Sequence, residues 1–276
     1  MGTRESYEPG TFSWVELATS DAEAAKRFYA ELFGWEYDDN AVGDGMVYSM
    51  ARRGGHHVGG LFTSDQSPPH WTSYVAVKSA EDTAKHAGDT GGTVLSGPFD
   101  VMDAGRMAVL QDPQGAVFAV WEAKDHIGAG LVNAPGALTW NDLMTSDVAG
   151  AAKFYCDLFG WEVAAVDPDG TPSAGDQEAE TEGDDGDGPP AAERVSIRNG
   201  DRLNGGIATL PEAMGEAPAH WIPYFAVEDA APAARRIGEL GGRVVVEPMD
   251  IPAGKLAVAQ DPQGALFAIF SGEFDD

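Results

Sequence analysis

FYAELFGWE, residues 28–36, returns as FYCDLFGWE at residues 154–162, 126 positions later. A second pair, DPQGAVFA at residues 112–119 and DPQGALFA at residues 261–268, lies 149 positions apart, and His70-Trp71 and His220-Trp221 lie 150 apart. One duplication explains all of these intervals if the second copy carries extra residues after Trp161 and before His220. The stretch DPDGTPSAGDQEAETEGDDGDGPP, residues 167–190, supplies them, with nine acids, no Lys or Arg, and no aromatic or branched apolar residue. Such a composition buries too little apolar surface to offset the entropy of ordering, so a disordered acidic insertion is expected there.

Each copy also divides in two. FSWVEL (12–17) has the composition of a strand. Ser20 with Glu23 three residues on forms a capping box for a helix whose inner stripe is Ala25, Phe28 and Leu32, and Gly34 is placed to stop it. Short strands are expected at 46–52 and 58–62. The order then restarts with a strand at 72–77, a helix at 80–87, and strands at 93–95, 107–110 and 116–121. Asp112-Pro113-Gln114-Gly115 has the residues of a tight turn at its first, second and fourth positions. The chain is therefore an α+β protein of four βαβββ units paired into two modules. The first is set at 8–124 and the second at 137–273, joined by a Gly- and Pro-containing linker at 125–136.

A strand, a capped helix carrying FY…LFGW, three strands and a closing DPxG hairpin resemble the vicinal-oxygen-chelate superfamily, which includes glyoxalases, bleomycin-resistance proteins and extradiol dioxygenases. The resemblance covers nearly the whole chain and implies that each pair of units curls into a cup holding a ligand or a metal. It also implies where metal ligands would stand: Trp14 and Trp140 on the opening strands, Thr72 and Ile222 on the strands that begin each second half, Ala119 and Ala268 on the last strands. None of these six is a strong ligand for a divalent ion, so no metal and no cofactor are expected.

Alternation along the strands places Trp14, Glu16, Tyr74 and Trp121 inside the first cup and Trp140, Asp142, Tyr224 and Phe270 inside the second, while Val15, Leu17 and Phe118 turn toward the helices. The rings either fill the cups or wall pockets for a planar or greasy molecule. A carboxylate in each favours a pocket, because a carboxylate in a filled apolar core is costly unless paired. His70 and His220, at the rims, either touch a ligand or close a strand end through a backbone hydrogen bond. Gly59-Gly60 and Gly205-Gly206 suggest a bulge or a close approach. His56-His57 are expected to be solvated, and His86 and His126 have no partner at ligand spacing. The lone cysteine, Cys156, falls on the repeated helix and is expected to be a buried thiol.

The net charge of −28 disfavours nucleic acid and anionic membrane as partners. No apolar run is long enough to span a membrane and the N-terminus has no secretory pattern, so a cytoplasmic location is expected, as a monomer or homodimer. No nucleophile elbow, phosphate loop, HExxH or CxxC occurs. The leading expectation is metal-independent binding of a small aromatic or hydrophobic metabolite or drug. The alternative is a glyoxalase-like lyase or an oxygenase or hydroxylase of the same superfamily.

Overall fold

The computed structural model describes residues 2–43, 45–166, 194–210 and 217–273; the acidic insertion lies outside them. In each half-module a strand leads into a helix and then three strands. The first module runs β2 (Phe12–Thr19), α1 (Ala22–Phe33), β3 (Glu36–Gly43), β4 (Met46–Arg53), β5 (His56–Thr63), then β6 (His70–Ala76), α2 (Ala80–Asp89), β7 (Thr93–Val101), β8 (Gly105–Gln111) and β9 (Val117–Ala123). These strands form one eight-stranded mixed sheet in the order β3-β4-β5-β2-β6-β9-β8-β7. The second module repeats it with β11 (Leu138–Thr145), α3 (Val148–Phe159), β12 (Glu162–Ala165), β13 (Arg194–Asn199), β14 (Arg202–Thr209), β15 (His220–Ala226), α4 (Ala230–Glu239), β16 (Arg243–Ile251), β17 (Gly254–Gln260) and β18 (Leu266–Gly272). Its sheet has the matching order β12-β13-β14-β11-β15-β18-β17-β16. Among the described residues no helix is long and apolar enough to cross a membrane.

The repeated helices start one residue later than the capping box suggested. Asp21, not Ser20, is the N-cap of α1, and its carboxylate accepts from Ala24 N at 2.9 Å. Asp147 does the same for α3 through Gly150 N. Glu23 is left in the first turn, where it pairs with Lys26. Gly34 and Gly160 end the two helices with φ of 68° and 71°, a conformation that costs glycine little.

The two sheets stand back to back. Val15 and Leu17 of β2 share a core with Phe28, Tyr29 and Phe33 of α1, but also with Ala230, Ala234 and Ile237 of α4 and Phe267 of β18. The mirror core joins Ala80, Ala84 and Ala87 of α2 to Phe154 and Tyr155 of α3. Each of these two cores is thus built half from one module and half from the other. At the centre, Ser73 Oγ of β6 donates to Asn141 Oδ1 of β11 at 2.6 Å.

The two repeated motifs meet across this seam. Tyr29 Oη of the first FYAELFGWE copy donates to Asp261 Oδ2 of the second DPQG turn at 3.1 Å, and Tyr155 Oη donates to Asp112 Oδ2 of the first turn at 3.0 Å. Each tyrosine oxygen also accepts from a buried indole, Trp71 Nε1 or Trp221 Nε1. The tryptophan of each FGWE reaches the entry of the opposite module: Trp35 Nε1 donates to Gly136 O at 2.6 Å and Trp161 Nε1 to Gly10 O at 2.7 Å. The duplicated sequence thus brings side chains of both modules into two shared cores. Cys156 borders the second core but is only half-buried, short of the buried thiol expected.

Candidate functional site

With their convex faces pressed together, the sheets turn their concave faces outward, and the alternation of β2, β6, β11 and β15 decides what stands there. In the first cup Trp14, Tyr74, Ala119 and Trp121 form one cluster. In the second, Tyr224, Ile222, Ala268 and Phe270 cluster with the half-buried Trp140 and Met144. Val15, Leu17 and Phe118 face the helices. All eight residues assigned to the cup faces from alternation lie on strands that share these two surfaces.

The carboxylates are held by equivalent partners of different chemistry. Glu16 Oε1 accepts from Tyr74 Oη at 2.9 Å, and Tyr48 of β4 is a second hydrogen-bond donor to it. Burial raises the Glu16 carboxyl above its ordinary range against the opposing effect of these bonds and of His70. Burial and the Glu16 charge likewise push both tyrosines well up. Asp142, only 1% exposed, is bound more completely. Its Oδ1 accepts from Trp140 Nε1 and Arg194 Nη2, both at 2.8 Å, and its Oδ2 from Tyr224 Oη at 2.7 Å and Arg194 Nη2 at 3.0 Å. The Asp142 charge raises the Arg194 guanidinium further, in a charge-assisted pair whose carboxylate is buried and whose guanidinium stays partly exposed.

Tyr48 and Arg194 escaped the sequence reading, and the paired glycines were the signal that could have found them. Tyr48 pairs with Phe62 and Arg194 with Ala208, so the two occupy the same place in their sheets. A Cβ on Gly60 would strike the Tyr48 ring, and one on Gly206 would strike the Asp142 carboxylate and crowd Arg194. The glycines make room for the side chains that hold each carboxylate.

The rim histidines turn their rings back to the chain, with Nδ1 against Pro68 O at 2.9 Å for His70 and against Pro218 O at 2.8 Å for His220. A carbonyl only accepts, so Nδ1 carries the proton and Nε2 is the free edge of each ring. His220 Nε2 is buried and has no hydrogen-bond partner. His86 Nε2 meets Asp157 O across the module seam, a structural contact.

Two histidines behave otherwise than expected. His57 is half-buried rather than solvated, and burial lowers its pKa. Its ring lies 5.6 Å from that of His126, which enters the first cup from the linker. His126 sits 4.7 Å from the Trp14 ring, edge-on at 89°, and 6.0 Å from Trp121. Burial lowers its pKa to about 4. Spacing along the chain could not show this, because the strap that delivers His126 is positioned by β1 (Gly2–Thr3) pairing with β10 (Leu131–Val132).

These cups offer a poor cradle for a divalent ion. Among the described residues, no three His, Cys, Asp or Glu side chains converge. In the second cup Arg194 already lies on both oxygens of Asp142, where a cation would compete with a guanidinium. In the first cup Glu16, His70 and His126, whose buried Nε2 has no partner, are donors among the described residues, but they do not converge as a ligand set. A separate surface groove, lined by residues including Phe33, Arg53, Pro135 and Asp229, lies on the module seam and touches neither cup.

Two back-to-back cups with aromatic walls define a tandem βαβββ protein, and the chain belongs to the Glyoxalase/Bleomycin resistance protein/Dioxygenase superfamily, whose model matches residues 11–120 and 134–269. It is 40% identical over 276 residues to the "Putative glyoxylase CFP32" of Mycobacterium tuberculosis (strain CDC 1551 / Oshkosh), covering 98% of this chain and 97% of the relative. It is 32% identical to the anthracycline biosynthesis protein DnrV of Streptomyces peucetius, over 95% and 94% of the two chains. In fold it is similar to the Mn(II)-bound glyoxalase from Novosphingobium aromaticivorans, with a TM-score of 0.65 at 18% identity over 97% of this chain and 84% of that one. The 2,3-dioxygenase LapB from Pseudomonas sp. KL28 gives 0.64 at 16% identity, covering 98% and 96%.

Proposed function

We propose that the protein binds a small aromatic or hydrophobic molecule against the aromatic walls of its cups without the help of a metal ion. The reading rests on Trp14, Thr72 and Ala119 in one cup and Trp140, Ile222 and Ala268 in the other standing on the strands where the family resemblance implies metal ligands, and on Asp142 being engaged by Arg194. Rings at such walls contribute about 0.5–1.5 kcal/mol per aromatic contact, added to the burial of the ligand's own apolar surface. Glu16 and Asp142, with their tyrosines, supply the fixed polar atoms that orient it. A relative named for anthracycline biosynthesis supports a planar, fused-ring ligand class.

The test is calorimetric titration of chelator-treated protein with a panel of fused-ring aromatics, an anthracycline among them. Saturable heat that survives the chelator is expected. A folded sample that binds nothing in the panel would remove the reading.

The name of the 40% identical relative favours a second reading, a glyoxalase-like lyase, with an oxygenase or hydroxylase of the superfamily beside it. Elemental analysis separates the readings. Stoichiometric Zn, Ni, Mn or Fe in purified protein, lost on Glu16→Gln or His70→Ala, would put catalysis first.

A further inference from the structure

The two cups descend from one sequence, yet they are finished differently. Over the first, the strap at 125–132 is tied down along its length: Trp121 Nε1 donates to His126 O at 2.8 Å, Ala129 N to Ser13 O at 2.7 Å, Gly130 N to His57 O at 2.8 Å, and Tyr7 Oη to Ala129 O at 2.6 Å. It sets the His126 ring edge-on between Trp14 and Trp121 and leaves Trp14 only 4% exposed. That is the place and the geometry a flat ligand would take. The first cup therefore holds a ring belonging to its own chain.

In the second cup, Trp140 stands where Trp14 stands in the first, and it remains half-buried, with Met144 beside it also half-buried. No described aromatic ring lies against Trp140 as His126 lies against Trp14. On the neighbouring strand His220 pairs with Met144 and is in phase with Ile222 and Tyr224, so its ring belongs to the same concave face. With Nδ1 committed to Pro218 O, its buried Nε2 is an acceptor without a donor. An unsatisfied buried acceptor is a standing cost that an incoming donor relieves.

We propose that the second module is the binding cup and that its ligand is a flat aromatic carrying a hydroxyl or N–H, the ring edge-on to Trp140 and the donor on His220 Nε2, while the first cup is closed by His126. This rests on the binding function proposed above and adds which cup, what stoichiometry and what chemical handle.

The experiment is titration of the full-length, chelator-treated protein with 2-naphthol and with 2-methoxynaphthalene, which keeps the rings and loses the donor. One 2-naphthol per chain is expected, with the methoxy compound at least tenfold weaker. His220→Phe and Trp140→Leu should each weaken 2-naphthol about tenfold. His126→Ala should raise the count from one toward two. Two equal sites in the native protein, or affinity indifferent to Trp140→Leu and His220→Phe, would overturn the placement while leaving the binding function standing. Equal affinity for the two compounds would overturn the donor. If neither the native protein nor His126→Ala binds any aromatic of the panel, both proposals fall together. Circular dichroism of each variant separates lost binding from lost fold, and since Trp140→Leu also takes a donor from Asp142, His220→Phe, which leaves the Asp142 bonds in place, is the variant least exposed to that confusion.

Discussion

At the scale of single residues, Asp142 and Arg194 carry the largest local risk. A carboxylate that is 1% exposed depends on its partners for every kcal/mol of its lost hydration. Removing one partner of such a pair strands the other charge, which typically costs about 3–5 kcal/mol for fully buried pairs. Arg194 keeps 36% of its side chain exposed, so Arg194→Met is expected to cost about 2–3 kcal/mol. Denaturant unfolding measures it. The double variant Asp142→Asn/Arg194→Met should recover more than half of the loss, because no charge is left behind. His126 yields a second prediction. Its pKa is lowered from the usual 6.5 to about 4 in the fold, so between those values the unfolded chain takes up a proton that the folded chain refuses. Stability attributable to this residue is thus intact above pH 6.5, falls as the pH drops toward 4, and levels off below. The facing titratable neighbour is His57, whose own pKa is also lowered and which would add repulsion. Thermal unfolding of His126→Phe should show a shallower decline over that window than the native protein. Parallel curves would mean that the ring is solvated after all.

At the scale of elements, helix caps and glycine-lined strands test how local signals become structure. Asp21→Ala is expected to cost about 1 kcal/mol through the lost bond to Ala24 N, whereas Ser20→Ala should be nearly silent. Gly206→Ala should cost more, about 2 kcal/mol, since the new methyl presses on Asp142 and Arg194 and both must shift. The four βαβββ units were legible because hairpin turns and caps are local. The Gly115 N to Asp112 O bond at 3.1 Å closes the expected turn, and Gly34 ends its helix as its position suggested. The cup faces were legible for the same reason, since side-chain alternation needs no knowledge of the partner strand. What the sequence did not disclose depends on long-range closure. His126 reaches Trp14 only through a two-residue ladder between the N-terminal segment and the linker, and Arg194 finds Asp142 only once β13 pairs with β14 and β14 with β11. Composition said that Glu16 and Asp142 needed partners; it could not say that a tyrosine serves one and a guanidinium the other.

At the scale of the molecule, the two largest cores each take half their side chains from each module, so the duplication is expected to fold as one unit. Residues 28–33 of α1 pack on α4 and β18, and α2 packs on α3, so a module cut out at the linker would expose two half-cores. Four indole and phenol hydrogen-bond chains would also be severed, leaving Trp35, Trp161, Asp112 and Asp261 with unmet bonds in apolar surroundings. The expected outcome for residues 1–130 expressed alone is therefore not a folded monomer. The two half-cores of one module are copies of those they meet in the full chain, so two such fragments can pair, α1 of one against α2 of the other. Light scattering after size exclusion should give a dimer or an aggregate. The full chain, having satisfied both half-cores internally, has no such need. Mixing residues 1–130 with residues 131–276 should restore the native pairing, because only that combination returns Tyr29 to Asp261 and Tyr155 to Asp112. A stable, monomeric 1–130 with native-like tryptophan fluorescence would show instead that each module carries its own sufficient core, and that the seam is a late addition to two independent folds.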